Sequence, residues 1–342
     1  FGKNVLKKRM KRNALTALHA GVTTMRSVGE FFYTDVKLRD EINNGDFVGP
    51  NLLVSGFFLS VTGGHGAPFL ALVGDSPWEA RKNVRINVKN GVDLIKICVT
   101  GGVTDAKMVG EAGRLQMTVE EVAAICDEAH KIGLRVAAHV ESTEGVRVAL
   151  KGGVDTIEHG SEMDDEIISL FKNNPNALNG YTALIPTFLA AYPSALLDTS
   201  VTKVSATVKE NARLVYTSML KGAQQAIENG ITIGLGTDAA MSYVTHYDMW
   251  REMDYYIKQT NLSNKQLIDI VTRTNAKILG IEDVTGTVDI GKQADLIVLD
   301  QSPLENIEAL SDVRMVMVKG NLIHTPSVTR IQQVDDVLNS VW

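Results

Sequence analysis

Short apolar runs alternate with amphipathic stretches along most of the 342 residues. The apolar runs predict strands at 22–28 (VTTMRSV), 51–56 (NLLVSG), 93–98 (DLIKIC), 134–140 (LRVAAHV), 154–158 (VDTIE), 183–188 (ALIPTF) and 231–236 (ITIGLG). Helices fall between several of them. "MTVEEVAAICDEAHKIG" has Thr118 as an N-cap with Glu121 three residues later, and stops at Gly133. "STEGVRVALKGG" and "ARLVYTSMLKGAQQAIENG" likewise end on glycine ahead of a new strand. This alternation, with nearly continuous apolar strands, predicts a parallel sheet covered by helices. Seven strands nearly fill a (β/α)8 TIM barrel, which typically takes about 250 residues. An open doubly wound sheet is the rival, but it gathers its ligand groups at one switch point. Here polar residues recur at the C-terminal ends of several strands, which favours the barrel. The eighth strand is expected ahead of residue 1.

After about residue 262 the rhythm changes. "SNKQLIDIVTRTNAKILG" reads as a helix ending on Gly280. "GTVDIGKQADLIVLD" and "VRMVMVKGNLI" read as two or three antiparallel strands, too few to bury a core alone. "RIQQVDDVLNSVW" reads as a short terminal helix.

Composition narrows the function. A net charge of −6 lacks the basic footprint of an electrostatic nucleic-acid binder. No apolar run approaches the roughly 18–20 residues of a membrane span. Cys98 and Cys126 sit in apolar segments and make no disulfide framework, so a reducing cytoplasm is expected. The chain opens on Phe1 and runs at once into basic helical sequence, "KNVLKKRMKRNALTALHAG", with no visible signal peptide. The natural protein is therefore expected to begin further upstream.

Four polar residues stand at predicted strand ends: Lys96 in "DLIKICVTGG", His139 in "VAAHVES", His159 in "TIEHGSE" and Asp238 in "IGLGTDAA". Each alone has an ordinary reading. A single histidine near a core is usually hydrogen-bonded and structural, and Asp238 would serve to cap a following helix. Lys96 is harder to set aside, because a lysine between two isoleucines points inward, and a buried ammonium needs a partner. Together the four suit metal chemistry. Imidazoles and carboxylates bind zinc and similar divalent ions, and a catalytic site keeps a position open for water. A lysine joins such a set only when its neutral amine takes up carbon dioxide as a carbamate. Glu158 alternates to the strand face opposite His159, so a structural role is expected of it.

This set resembles that of the amidohydrolase superfamily of metal-dependent hydrolases. "GTVDIGKQADLIVLD" is similar to that superfamily's C-terminal β-sandwich signature, and "ALTALHAGVTTMRSVGE" to its first helix and second strand. "LSVTGGHGAP" followed by "GVDLIKICVTGGV" resembles the prolidase-like and Xaa-Arg-dipeptidase-like branch, with imidazolonepropionase relatives close in pattern. The resemblance implies residues 1–280 as a barrel lacking strand 1, 281–325 as part of a small β-sandwich, and 326–342 as a terminal helix. It also implies a binuclear site, with zinc as the expected metal. Carboxylated Lys96 would bridge two ions, His139 and His159 would hold one, and Asp238 would bind the other and shuttle a proton. A hydroxide activated by the metals would attack the scissile carbonyl.

The family pattern also calls for a His-x-His pair on the first strand. The seven histidines lie at 19, 65, 130, 139, 159, 246 and 324, none two apart. The chain is therefore expected to be a fragment of a longer enzyme, to hold at most one metal well and to turn over poorly. An open sheet edge beside 22–28 is expected to favour homo-oligomers.

On the substrate side, His65 in "TGGHGAP" reads either as a turn residue or as a substrate contact, and the resemblance favours the contact. Tyr192 in "IPTFLAAYPSA" resembles a tyrosine that stabilises the tetrahedral intermediate, with its spacing one residue off the typical pattern. His246 in "MSYVTHYDMW" would close over substrate or cap the helix starting near 247, and Arg114 reads as a solvated loop charge. The expected activity is cleavage of the amide of a dipeptide with a free carboxylate, of prolidase or Xaa-Arg type. A cyclic-amide hydrolase and a non-catalytic binding barrel are the alternatives.

Overall fold

The structure is a computed structural model that describes residues 2–67 and 69–341; Phe1, Pro68 and Trp342, which fall within stretches quoted above, lie outside the described residues. Strands β1 (Thr24–Ser27) and β2 (Asn51–Val54) pair in parallel. Strands β3 (Phe58–Ser60), β4 (Ala71–Val73), β5 (Leu94–Cys98), β6 (Arg135–Val140), β7 (Thr156–His159) and β8 (Ala183–Ile185) form a parallel sheet in the order β4-β3-β5-β6-β7-β8. A separate antiparallel sheet holds β9 (Leu296–Val298), β10 (Met315–Val318) and β11 (Asn321–Ile323).

The main helices are α1 (Lys3–His19), α2 (Thr34–Asn43), α3 (Pro77–Lys89), α4 (Val119–His130), α5 (Thr143–Gly152), α6 (Asp165–Lys172) and α7 (Phe188–Leu196). They are followed by α8 (Thr199–Thr202), α9 (Ala206–Glu228), α10 (Met249–Gln259), α11 (Asn264–Asp269), α12 (Asn275–Leu279) and α13 (Gln332–Val341). Helix α4 begins with the predicted capping box: Thr118 Oγ1 accepts from the Glu121 amide, and Glu121 accepts in return from the Thr118 amide. Ile95, Ile97, Ala138 and Ile157, fully buried, share one core with Val122 and Ile125 of α4 and Val146 and Leu150 of α5. Among the described residues no helix is long and apolar enough to cross a membrane.

Two differences from the sequence reading have local causes. The 51–56 run is cut at Gly56, whose φ of +62° and close approach to the Tyr33 ring suit a residue without a side chain. Beyond that bend, β3 starts anew and pairs with β5 instead of β1. The 231–236 stretch forms a single bridge between Ile233 and Leu184 rather than a full strand. Its backbone at Leu235 is completed by a side chain instead, since Asn275 of α12 accepts from the Leu235 amide and donates to its carbonyl.

The helix read at 263–280 is α11 and α12 joined through a π-helical turn at Ile270–Thr274, and it ends on left-handed Gly280 as expected. Val316 and Val318 of β10 pack on Leu18 of α1, so the small sheet borrows a helix for its core. Helix α13 is held near α10, where Arg251 donates to Asn339 and the Ile331 amide donates to the Tyr247 hydroxyl.

Candidate active site

Register decides which side chains can meet. Lys96 lies beside Ala137 and then Thr156, while Cys98 lies beside His139 and then Glu158. Neighbours in a parallel ladder share a face. Lys96, Cys98, His139, Thr156 and Glu158 therefore point to one side, and the isoleucines between them point to the helices. By the same alternation His159 would point outward with Ile157. It does not, because its φ of +70° turns the backbone at the strand end. The His159 ring comes edge-on to His139 with centroids 4.8 Å apart, and its Nδ1 lies 2.7 Å from Thr187 Oγ1.

The expectation for Glu158 is corrected in direction. It faces the same interior as Lys96 and His139. Its role is still to hold structure: Arg26 of β1 donates to it at 2.7 Å, and Thr156 donates at 2.6 Å. Burial works to raise its pKa, but Arg26, Lys96 and Thr156 outweigh that and hold it below the usual carboxylate value.

Asp238 follows the short 231–236 stretch with a φ of +53°. It caps no helix, since α10 starts only at Met249. Burial raises its pKa, Lys96 and His65 lower it, and Glu158 raises it again. Lys96 in turn has its pKa lowered by burial and by Arg26, against the pull of Glu158 and Asp238. The amine thus acts on both imidazoles and on Asp238. His139 is pushed well below its usual pKa by burial, then by His65, His159 and Lys96. His159 is pushed down to about 3, chiefly by burial. Both rings are thus neutral donors at physiological pH.

His65 lies over this group. Its ring stacks on His139 at 4.3 Å, and its Nδ1 is 2.7 Å from Asp105 Oδ1. Tyr192 is on α7, buried in contact with Tyr216 and Tyr255. Glu252 of α10 accepts from the amides of Phe188 and Leu189 and so fixes the start of α7. His246 is half-buried, and the charge it feels is the Arg12 guanidinium of α1. Arg114 is exposed.

The sequence reading passed over Glu141, which lies two residues after His139. Its Oε1 is 3.9 Å from His139 Nε2, and its Oε2 is buried without a hydrogen-bond partner. Burial, Asp238 and Asp105 together raise its pKa to about 8. Donor atoms of His139, Glu141 and His159 all lie within 4.8 Å of one another. The only sequence hint was a carboxylate in register with a strand-end histidine. Neutral imidazoles, a buried amine and an orphaned carboxylate oxygen in one cavity fit a divalent cation, whose charge would offset the carboxylates.

A parallel sheet with its polar groups gathered past the strand ends, imidazoles and carboxylates around one cavity, defines a metal-dependent hydrolase of the barrel type. The chain belongs to the amidohydrolase family, which it matches over residues 3–323. It is an amidohydrolase-type enzyme acting on C–N bonds. A crystal structure described as a "putative prolidase" from Bifidobacterium longum is 44% identical with a TM-score of 0.93, covering 98% of this chain and 81% of that one. A Xaa-Pro dipeptidase with methionine bound in its active site is 32% identical with a TM-score of 0.80, over 92% and 78% of the two chains. Ochratoxinase from Aspergillus niger is 28% identical over 94% of this chain and 69% of its own length.

Proposed function

We propose that this chain hydrolyses the amide bond of a dipeptide with a free carboxylate, as a prolidase-type or Xaa-Arg-type metallopeptidase. One observation carries this reading: the buried rings of His139 and His159 meet with centroids 4.8 Å apart, with Lys96 buried close enough to act on both and on Asp238. The likeness to the Xaa-Pro dipeptidase supports the choice of substrate class. The likeness to imidazolonepropionase from Thermoplasma acidophilum covers only 30% of the chain, which favours a dipeptide over a cyclic amide.

His139 and His159 would hold the metal as neutral ligands, with zinc as the ion to test first. Burial lowers the pKa of Lys96 and so favours its neutral amine; adding carbon dioxide to that amine would form a carbamate and release one proton. Asp238 would be both ligand and base, taking the proton from the attacking water and passing it to the leaving amine. His65, over the cavity mouth, would meet the substrate carboxylate, and Tyr192 would donate to the oxygen of the tetrahedral intermediate. The bound metal supplies Lewis-acid polarisation of the carbonyl and lowers the pKa of water.

The test is a substrate panel with added zinc, manganese or cobalt: Xaa-Pro, Xaa-Arg and other dipeptides, a lactam, and ochratoxin. Release of a free amino acid from one dipeptide class, abolished by chelation, is the expected result. Turnover of the lactam alone would overturn the dipeptidase reading. Metal binding without turnover of any of these compounds would favour a binding role.

A further inference from the structure

We propose that Glu141 is a metal ligand, completing with His139 and His159 a two-imidazole, one-carboxylate set carried by the ends of β6 and β7. This rests on the metal-centre reading above and adds to it a residue outside the Lys96–His139–His159–Asp238 set.

Three observations converge. The first is that the donor atoms of the three residues lie within 4.8 Å of one another, with His139 Nε2 and Glu141 Oε1 at 3.9 Å. Ligands about 2.1 Å from a tetrahedral ion stand about 3.4 Å apart, so a small side-chain adjustment closes the set. The second is that the Glu141 side chain is only 8% exposed, yet Oε2 has no partner. A buried carboxylate in that state is costly unless a cation meets it. The charged groups that act on it are the carboxylates of Asp238 and Asp105, and both work against its ionised form as a cation would not.

The third observation is that the position is built. The Glu141 amide donates to the buried Thr100 hydroxyl at 3.0 Å. The loop at Gly113 lies so close that a Cβ there would come within 2.6 Å of the Glu141 carbonyl. Two histidines with one carboxylate is a set used both by catalytic zinc and by open ferrous sites. All three donors sit at the ends of the adjacent strands β6 and β7, so Glu141 would join His139 and His159 on the same ion.

Chelator-stripped protein titrated calorimetrically with zinc, and with cobalt while the visible spectrum is read, tests this in wild type and in Glu141→Gln. In Glu141→Gln, affinity is expected to fall by at least about tenfold, given that outer-shell partners alone are worth about 10–100-fold. The cobalt bands should shift as well. Affinity within twofold of wild type with an unchanged cobalt spectrum would overturn the assignment. If Glu141→Gln does not fold, Glu141→Asp serves: weaker binding supports the proposal and unchanged binding overturns it. A wild type that binds no metal would instead overturn the metal-centre reading itself, which separates the two failures.

Discussion

Replacing Arg26 with methionine isolates the buried pair under the site. The Arg26 guanidinium and Glu158 carboxylate are 2.7 Å apart with side chains 14% and 6% exposed, so solvent does little to screen them. Without Arg26 the Glu158 carboxylate loses its ion-pair partner and keeps only the Thr156 hydrogen bond and the pull of Lys96, and its cheapest escape is to take up a proton. From an ordinary glutamate pKa of about 4.3, that costs about 3.7 kcal/mol at pH 7, at about 1.36 kcal/mol per pH unit. The figure falls inside the range of about 3–5 kcal/mol for breaking one side of a buried pair. At pH 5 the same escape costs only about 1 kcal/mol.

Arg26→Met should therefore lose about 3–4 kcal/mol at pH 7 and about 2.7 kcal/mol less than that at pH 5. With an unfolding entropy of about 2.1 cal/mol/K per residue, the pH 7 loss corresponds to a Tm lower by about 5 °C. Urea unfolding of metal-free protein at both pH values, supported by calorimetry, measures it. Adding Glu158→Gln, which keeps an acceptor for Thr156, should recover most of the loss. A penalty below about 1 kcal/mol at pH 7, or one that does not change with pH, would refute the reasoning, since Arg26 would then not be what keeps Glu158 charged.

The neutral histidines give a second pH signature. The unfolded chain binds protons on His139 and His159 below about pH 6.5, whereas folded His159 resists until about 3. Metal-free protein should therefore lose stability as pH falls through that window, by up to about 1.4 kcal/mol per unit for each ring. His159→Gln should flatten the slope by one ring's share, and an unchanged slope would contradict the burial argument. Asp238→Asn should lower kcat by about 10²–10⁴-fold on the best dipeptide, as expected for a lost proton carrier; near wild-type kcat would remove Asp238 from that role. Thr118→Ala should cost about 1 kcal/mol in urea unfolding through loss of the α4 capping box; a loss near zero would show that the box adds nothing to stability.

Much of this protein was written in its one-dimensional pattern. Apolar runs marked β1, β2, β5, β6, β7 and β8, because an interior strand must be apolar on the helix-facing side whatever its neighbours are. Thr118 and Glu121 fixed the start of α4 because a capping box is satisfied within four residues. Lys96, His139, His159 and Asp238 stood out because such residues are costly at the ends of buried strands without a shared task. What local pattern could not supply was direction and partnership across space. Alternation alone sent Glu158 away from the site. The left-handed turn at His159 and the register with His139 put both residues into the same cavity. Arg26 meets Glu158 across 132 positions of chain, Asn275 stands in for a strand at Leu235, and Glu141 is left with an unpartnered oxygen only once the loops have closed around it. Local propensity is read from neighbours in the chain, whereas the energy of a buried charge depends on everything that folding brings within a few ångströms.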